Sequence, residues 1–77
     1  MKYTLIKNAI KCNKCGDVIE STHRHDFKFC SCESVAIDGG LTYQRILGNF
    51  EDWDVSPSIY EGEDGSHING VEYYERD

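Results

Sequence analysis

Lys11-Cys12-Asn13-Lys14-Cys15-Gly16 and Phe29-Cys30-Ser31-Cys32, with fourteen residues between Cys15 and Cys30, are the stretches that decide what this chain can fold into. They carry all four of its cysteines, as a C-x-x-C-G and a C-x-C. Each pair fits on one tight turn, and the segment between them can return the chain to the same point, so four thiolates can converge on one tetrahedral ion. Gly16 suits the first turn, because the residue after a C-x-x-C often needs a positive φ that only glycine adopts without steric penalty. The same turn aims backbone N–H groups at the sulfurs and spreads their negative charge. Two disulfides, or a redox dithiol at Cys12 and Cys15, are the rival uses. A redox pair wants its first cysteine at a helix N-terminus to lower the thiol pKa, whereas Gly16-Asp17 here leads into a β-prone run.

Size points the same way. Seventy-seven residues allow one domain, and a domain this small buries too little surface to be stable without a staple. Structural zinc supplies an apparent ~10–16 kcal/mol in small peptides, comparable with the whole stability of such a domain. The N-terminus has no apolar run long enough for a signal peptide and no membrane span appears, which predicts a cytoplasmic protein whose thiols stay reduced and open to metal. A complete Cys₄ set closes the coordination sphere, so the ion, one Zn²⁺ per chain held by Cys12, Cys15, Cys30 and Cys32, is expected to be structural rather than catalytic. The predicted fold is a small β-rich, metal-stabilised domain, a zinc ribbon of short antiparallel hairpins with an acidic C-terminal extension. Residues 1–48 form the ribbon and 49–77 an acidic, aromatic-containing segment packed on it, all within the single domain 1–77.

Charge is unevenly placed. Residues 1–50 sum to a formal +2 and residues 51–77 to −8, giving the net −6. Four thiolates on one dication would add about −2. Such a chain is poorly suited to neutralising phosphates, and its field favours a basic protein surface.

Residues 3–10 read as a strand feeding the first cysteine turn, and 17–21 as the strand leaving it. Residues 22–25 are polar turn. Asp26-Phe27-Lys28-Phe29 alternates, setting both phenylalanines on one face beside the metal, and Val35-Ala36-Ile37 follows the second turn. Asp38-Gly39-Gly40 signals a tight hairpin into a strand over 41–47. Asn49 is positioned to cap a helical turn over 50–53, which Pro57 stops. A short strand is expected over 58–60, a solvated loop over 61–66, and an Asn69-Gly70 hairpin turn between 67–68 and 71–74.

No nucleophile motif, phosphate-binding glycine loop or carboxylate pair with split environments occurs, so catalysis is not expected. His23 and His25 read as solvent-facing turn residues, and His67 carries no signal. Lys7, Lys11, Lys14, Arg24 and Lys28, with Phe27, Phe29 and Tyr43, make a possible nucleic-acid face. The acidic half weighs against it, and the lysines equally serve to offset thiolate charge. The C-terminal segment offers a second surface, with carboxylates Asp52, Asp54, Glu61, Glu63 and Asp64 around Trp53, and Tyr60, Tyr73 and Tyr74 as further anchors for a protein partner. Those rings serve equally well as core.

Ile6 through Cys12, the Cys15-Gly16-Asp17 turn, and His25-Asp26-Phe27-Lys28-Phe29-Cys30 through Asp38-Gly39-Gly40 resemble a family of small zinc-ribbon proteins encoded by phages and mobile elements of Gram-positive bacteria. The resemblance covers residues 5–47. It departs at Glu33, where a glycine is expected after the second cysteine pair. The chain is also similar to a small, acidic metalloprotein among phage anti-CRISPR inhibitors of Cas9. That likeness implies a phage-encoded inhibitor acting in the host bacterial cytoplasm, its acidic surface set against the positive channels in which Cas9 holds nucleic acid. The alternative is a nucleic-acid-binding zinc ribbon with an accessory or regulatory role.

Overall fold

A computed structural model describes residues 2–75; Met1, Arg76 and Asp77, counted in the charge above, lie outside the described residues. The molecule is built on one long strand, β1 (Tyr3–Cys12), which pairs antiparallel with β2 (Val18–Ser21) on one edge. On its other edge lie β6 (Trp53–Asp54), opposite Lys11 and Cys12, and β7 (Ile59–Gly62), opposite Tyr3 to Lys7. Strand β8 (His67–Asn69) completes this five-stranded sheet beside β7. A three-stranded sheet of β3 (Lys28–Phe29), β4 (Ala36–Asp38) and β5 (Arg45–Leu47) packs against it. The acidic segment is thus woven into the main sheet through β6 and β7, on the open edge of β1.

Between β7 and β6 the ladder is interrupted at Pro57-Ser58, where proline has no N–H to donate. The Ser58 hydroxyl takes over: it accepts from Ala9 N at 2.9 Å and donates to the Ala9 carbonyl. A buried side chain so stands in for a strand residue, and no backbone polar group of Ala9 is orphaned. The core gathers Ile10, Cys12, Cys30, Val35, Ile37 and Val55, with Ile19, Ile46, Trp53 and Val71 packed around it. Two cysteines in the core mean that the thiol cluster and the hydrophobic core are one body.

Three elements depart from the sequence expectation. The strand expected over 41–47 is confined to Arg45–Leu47, and the tight hairpin becomes a loop over 39–44. Asn8 is the cause. Fully buried, its amide donates to the carbonyls of Asp38 (3.1 Å), Gly40 (2.8 Å) and Tyr43 (3.3 Å), while Gly40 N donates to Ser21 Oγ at 2.8 Å. The loop's backbone is satisfied by side chains of β1 and β2, so it needs no ladder. Gly40, at φ 54°, lies so close to the His23 backbone that a Cβ would overlap it.

The expected Asn69-Gly70 hairpin is instead a helix start. Asn69 Oδ1 accepts from Glu72 N at 2.9 Å and Glu72 Oε1 faces Asn69 N at 3.4 Å, opening α1 (Gly70–Glu75). This reciprocal cap is the Asx version of a capping box. The hairpin lies one step earlier, between β7 and β8, closed by Gly62 N to the Ser66 carbonyl at 2.8 Å. Residues Phe50–Asp52 form a single 3₁₀ turn, but Asn49 makes no side-chain cap to it. No helix among the described residues is long and apolar enough to cross a membrane.

Candidate metal centre

Two turns of matching construction present the four sulfurs. At the end of β1, Cys12 N donates to the Asp17 carbonyl (2.8 Å) and Gly16 N to the Cys12 carbonyl (2.9 Å). After β3, Cys30 N donates to the Val35 carbonyl (3.1 Å) and Glu33 N to the Cys30 carbonyl (3.0 Å). Each turn needs one residue in the left-handed region: Gly16 has φ 81° and Glu33 φ 61°, the latter being the single positive-φ non-glycine among the described residues. Glu33 therefore keeps the turn geometry that glycine was expected to supply, at a torsional cost borne by its Cβ.

In each pair the first cysteine is buried and the second exposed, and all four sulfurs lie within 4.8 Å of one another. Cys32 Sγ is 3.6 Å from both Cys12 Sγ and Cys30 Sγ, far beyond the ~2.05 Å of a disulfide, and none of the four is bonded to another. Lys14 N and Cys15 N both point at Cys12 Sγ at 3.4 Å. These distances are compatible with a structural metal ion held by Cys12, Cys15, Cys30 and Cys32. No histidine joins this cluster among the described residues. His23 Nδ1 sits on Thr22 Oγ1 (3.2 Å) and His67 Nε2 on Glu61 Oε2 (3.1 Å).

The ordinary thiol pKa is split across the site. The Ser34 hydroxyl, then its amide, hold Cys32 down at about 6. At Cys12 the Cys15 amide pulls downward, but burial and the thiols of Cys30 and Cys32 outweigh it and push the group up to about 11. At neutral pH metal capture must therefore displace the Cys12 proton, while Cys32 already offers a thiolate.

Asp17 and Ser31, which the sequence reading did not single out, lock the two turns together. Asp17 Oδ2 accepts from Ser31 N at 2.8 Å and from the Ser31 hydroxyl, which holds its carboxyl below the ordinary value, the hydroxyl first. An acid directly after C-x-x-C-G is the only sequence signal for this bridge.

The predicted partner-binding residues do not form one surface. Trp53 lies opposite Cys12 and Gly62 opposite Tyr3, nine strand steps or roughly 30 Å apart. Asp52, Trp53 and Asp54 thus sit at the metal end, and Glu61, Glu63 and Asp64 at the far end. Several of the carboxylates have local tasks. Asp52 pairs with Lys14 Nζ (3.6 Å), Asp54 accepts from Ser56 N (2.9 Å), Glu61 faces His67, Glu63 accepts from Lys2 N (3.2 Å), and Asp64 accepts from Ser66 Oγ (2.7 Å). Trp53 packs on the core with its ring edge-on to Phe50 at 5.3 Å, and Phe50, which no sequence motif marks out, is 82 % exposed. Phe27 and Phe29 are both exposed and edge-to-face at 5.2 Å.

Residues 4–48 match the family model described as Domain of unknown function (DUF7695), over more than half of the chain. No curated protein and no solved structure matches it.

Proposed function

The chain belongs to the DUF7695 family, and from that premise and its thiol cluster we propose that it is a zinc-stapled binding module, a Cys₄ ribbon that holds an aromatic, acid-rimmed groove ready for a basic protein surface. Zinc suits the donor set. With Zn–S at about 2.3 Å a regular tetrahedron has S···S edges of roughly 3.8 Å, and Cys32 Sγ here stands 3.6 Å from both Cys12 Sγ and Cys30 Sγ. Four thiolates fill the coordination sphere, so the ion would act on the fold and leave no position for substrate.

The observation that carries the binding reading is where the groove sits. A hollow of about 250 Å³ is lined by Phe50, Trp53, Val55, Val71 and Tyr74, with Asp54 and Glu75 among its walls. Its 3₁₀ turn hangs on the first cysteine turn: Asn13 N donates to the Asp52 carbonyl (2.8 Å) and Asn13 Nδ2 to the Glu51 carbonyl (3.1 Å). A metal-ordered turn thus fixes an exposed aromatic among acids, which is how a protein-binding hot spot is built. The resemblance to phage inhibitors makes Cas9 the partner of choice, approached through its positive surfaces.

The test is cleavage of a matched target by Cas9 in the presence of wild type, Phe50→Ala and the pair Glu51→Lys with Asp54→Lys. Phe50 is so exposed that its truncation should leave the fold within about 0.5 kcal/mol, yet cost ~2 kcal/mol or more of binding if it anchors the partner. Inhibition unchanged by both folded variants would reject the groove, and no inhibition by wild type would reject Cas9. A second reading, nucleic-acid binding, is favoured by the exposed Phe27–Phe29 pair beside Lys28. Lys28 is spent on Asp26 at 3.5 Å, and we expect no salt-sensitive DNA or RNA binding near physiological salt.

A further inference from the structure

Above the outer half of β1 lies a second hollow, of about 440 Å³, walled by Tyr3, Tyr43, Gln44, Tyr60, Tyr73 and Tyr74. Its volume falls within the range of small-ligand sites, and five tyrosines are among its lining residues. Tyr60 and Tyr73 are stacked at 3.7 Å, with Tyr3 and Tyr74 edge-on to Tyr73 at 6.3 and 5.3 Å.

The polarity of this wall is set from the interior. Asn8 must turn its NH₂ toward the three backbone carbonyls of the 38–43 loop, so its Oδ1 faces outward. Gln44 Nε2 donates to that oxygen at 2.9 Å and to Ser58 Oγ at 2.7 Å, which leaves Gln44 Oε1 facing the hollow. Oε1 is then taken by two phenol protons, from Tyr60 OH at 2.8 Å and Tyr74 OH at 2.7 Å. Tyr43 gives its own proton to Asp38 Oδ2 at 3.4 Å. A carboxamide oxygen accepts two bonds and a phenol donates one. The Gln44 amide is therefore fully paired, and the hydroxyls of Tyr43, Tyr60 and Tyr74, each with its proton already given, keep oxygen lone pairs to accept with. Burial, then Tyr74, raises the Tyr60 phenol above its ordinary value, so this arrangement does not lapse at neutral pH.

Three phenol oxygens poised to accept, among aromatic rings and in a chain of net charge −6, favour a planar, donor-rich cation over phosphates and carboxylates. Guanidinium is that group: flat, always charged, five donors and no acceptor, and prone to stack on aromatic rings. We propose that this hollow is a receptor for an arginine side chain of the basic protein partner. Tyr74 also lines the neighbouring Phe50–Trp53 groove, so one partner surface would cover both. The identity of the occupant's carrier rests on the protein-binding reading above, while the chemistry of the hollow does not.

The experiment is an NMR titration of the full-length, zinc-loaded protein with N-acetylarginine amide, N-acetylcitrulline amide and AMP as separate probes. The arginine probe should shift the Gln44 side-chain amide and the Tyr43 and Tyr74 rings along a saturable curve. The isosteric, uncharged citrulline probe should bind at least ten-fold more weakly, and AMP should leave those signals in place. Thr42→Lys, on the exposed rim, puts a competing ammonium at the mouth and should weaken the arginine probe ten-fold or more at an unchanged melt. Tyr74→Leu should do the same by removing one wall. Phe50→Ala should leave the titration untouched, so that groove and hollow fail separately. Equal binding of arginine and citrulline, arginine shifts confined to surface carboxylates, or AMP occupying the hollow would each overturn the proposal.

Discussion

The two cysteine turns solve one backbone problem with different residues, and exchanging the solutions tests whether that problem is real. Gly16 has φ 81° and a Cβ built there meets nothing within 4 Å, so Gly16→Ala adds torsional strain without a clash. The left-handed region costs a residue with a Cβ about 1–2 kcal/mol, and alanine recovers about 0.4–1 kcal/mol by restricting the unfolded chain. The net expectation is a loss of about 1 kcal/mol. Glu33, exposed and at φ 61°, is the reverse case, so Glu33→Gly should stabilise by a similar ~1 kcal/mol. Where metal binding and folding are one equilibrium, that change is about five-fold in apparent metal affinity. Competition against a chromophoric chelator reads the affinity, and denaturant unfolding of the metal-loaded protein reads the stability. Glu33→Ala keeps the strained torsion while removing the charge, and should stay within about 0.5 kcal/mol of wild type. Refutation would be a Glu33→Gly variant no more stable than Glu33→Ala, or a Gly16→Ala variant indistinguishable from wild type.

Two further outcomes follow from the same structure. Purified protein should hold one zinc per chain, and Cys30→Ser should lose both the metal and the cooperative melt, because Cys30 belongs to the core as well as to the site; metal analysis without zinc, with oxidised cysteines, would end that reading. Asp26 is held below the ordinary carboxyl value first by the Thr22 amide, then by the Thr22 hydroxyl and Lys28. A depressed folded pKa means the contribution is complete above the unfolded value near 3.9 and is lost as pH falls through the folded one. Wild type should therefore out-melt Asp26→Asn at pH 6, with the gap closing below about pH 4; a gap that widens on acidification would show the sign to be wrong.

Sequence signals match the structure where the deciding contacts are local. The β1 and β2 segments, the positive φ at Gly16 and the pairing of cysteines within each turn depend on neighbours a few residues away. Asn69-Gly70 departs from the hairpin expectation because an Asn-Gly pair serves a hairpin and a helix start equally well. Glu72, three residues after Asn69, was the discriminating signal, and its reciprocal bonds decide for the helix. Residues 41–44 alternate like a strand, but alternation cannot reveal that the buried amide of Asn8, more than thirty residues away, will bond the carbonyls of Gly40 and Tyr43.

By itself the sequence determined the β-rich class and the set of thiols that can share an ion, because pattern, turn chemistry and spacing are properties of short stretches. Tertiary structure alone decided which side chains the acidic half presents. Pairing β6 and β7 along opposite ends of β1 separated Asp52–Asp54 from Glu61–Asp64, which look continuous in composition. Running Asn8, Gln44, Ser58 and the tyrosines into one chain of donors and acceptors gave the second hollow its polarity. The reason is physical: a strand's neighbours and a polar group's free lone pairs are set by partners distant in sequence, and each is specified only once the chain has closed on itself.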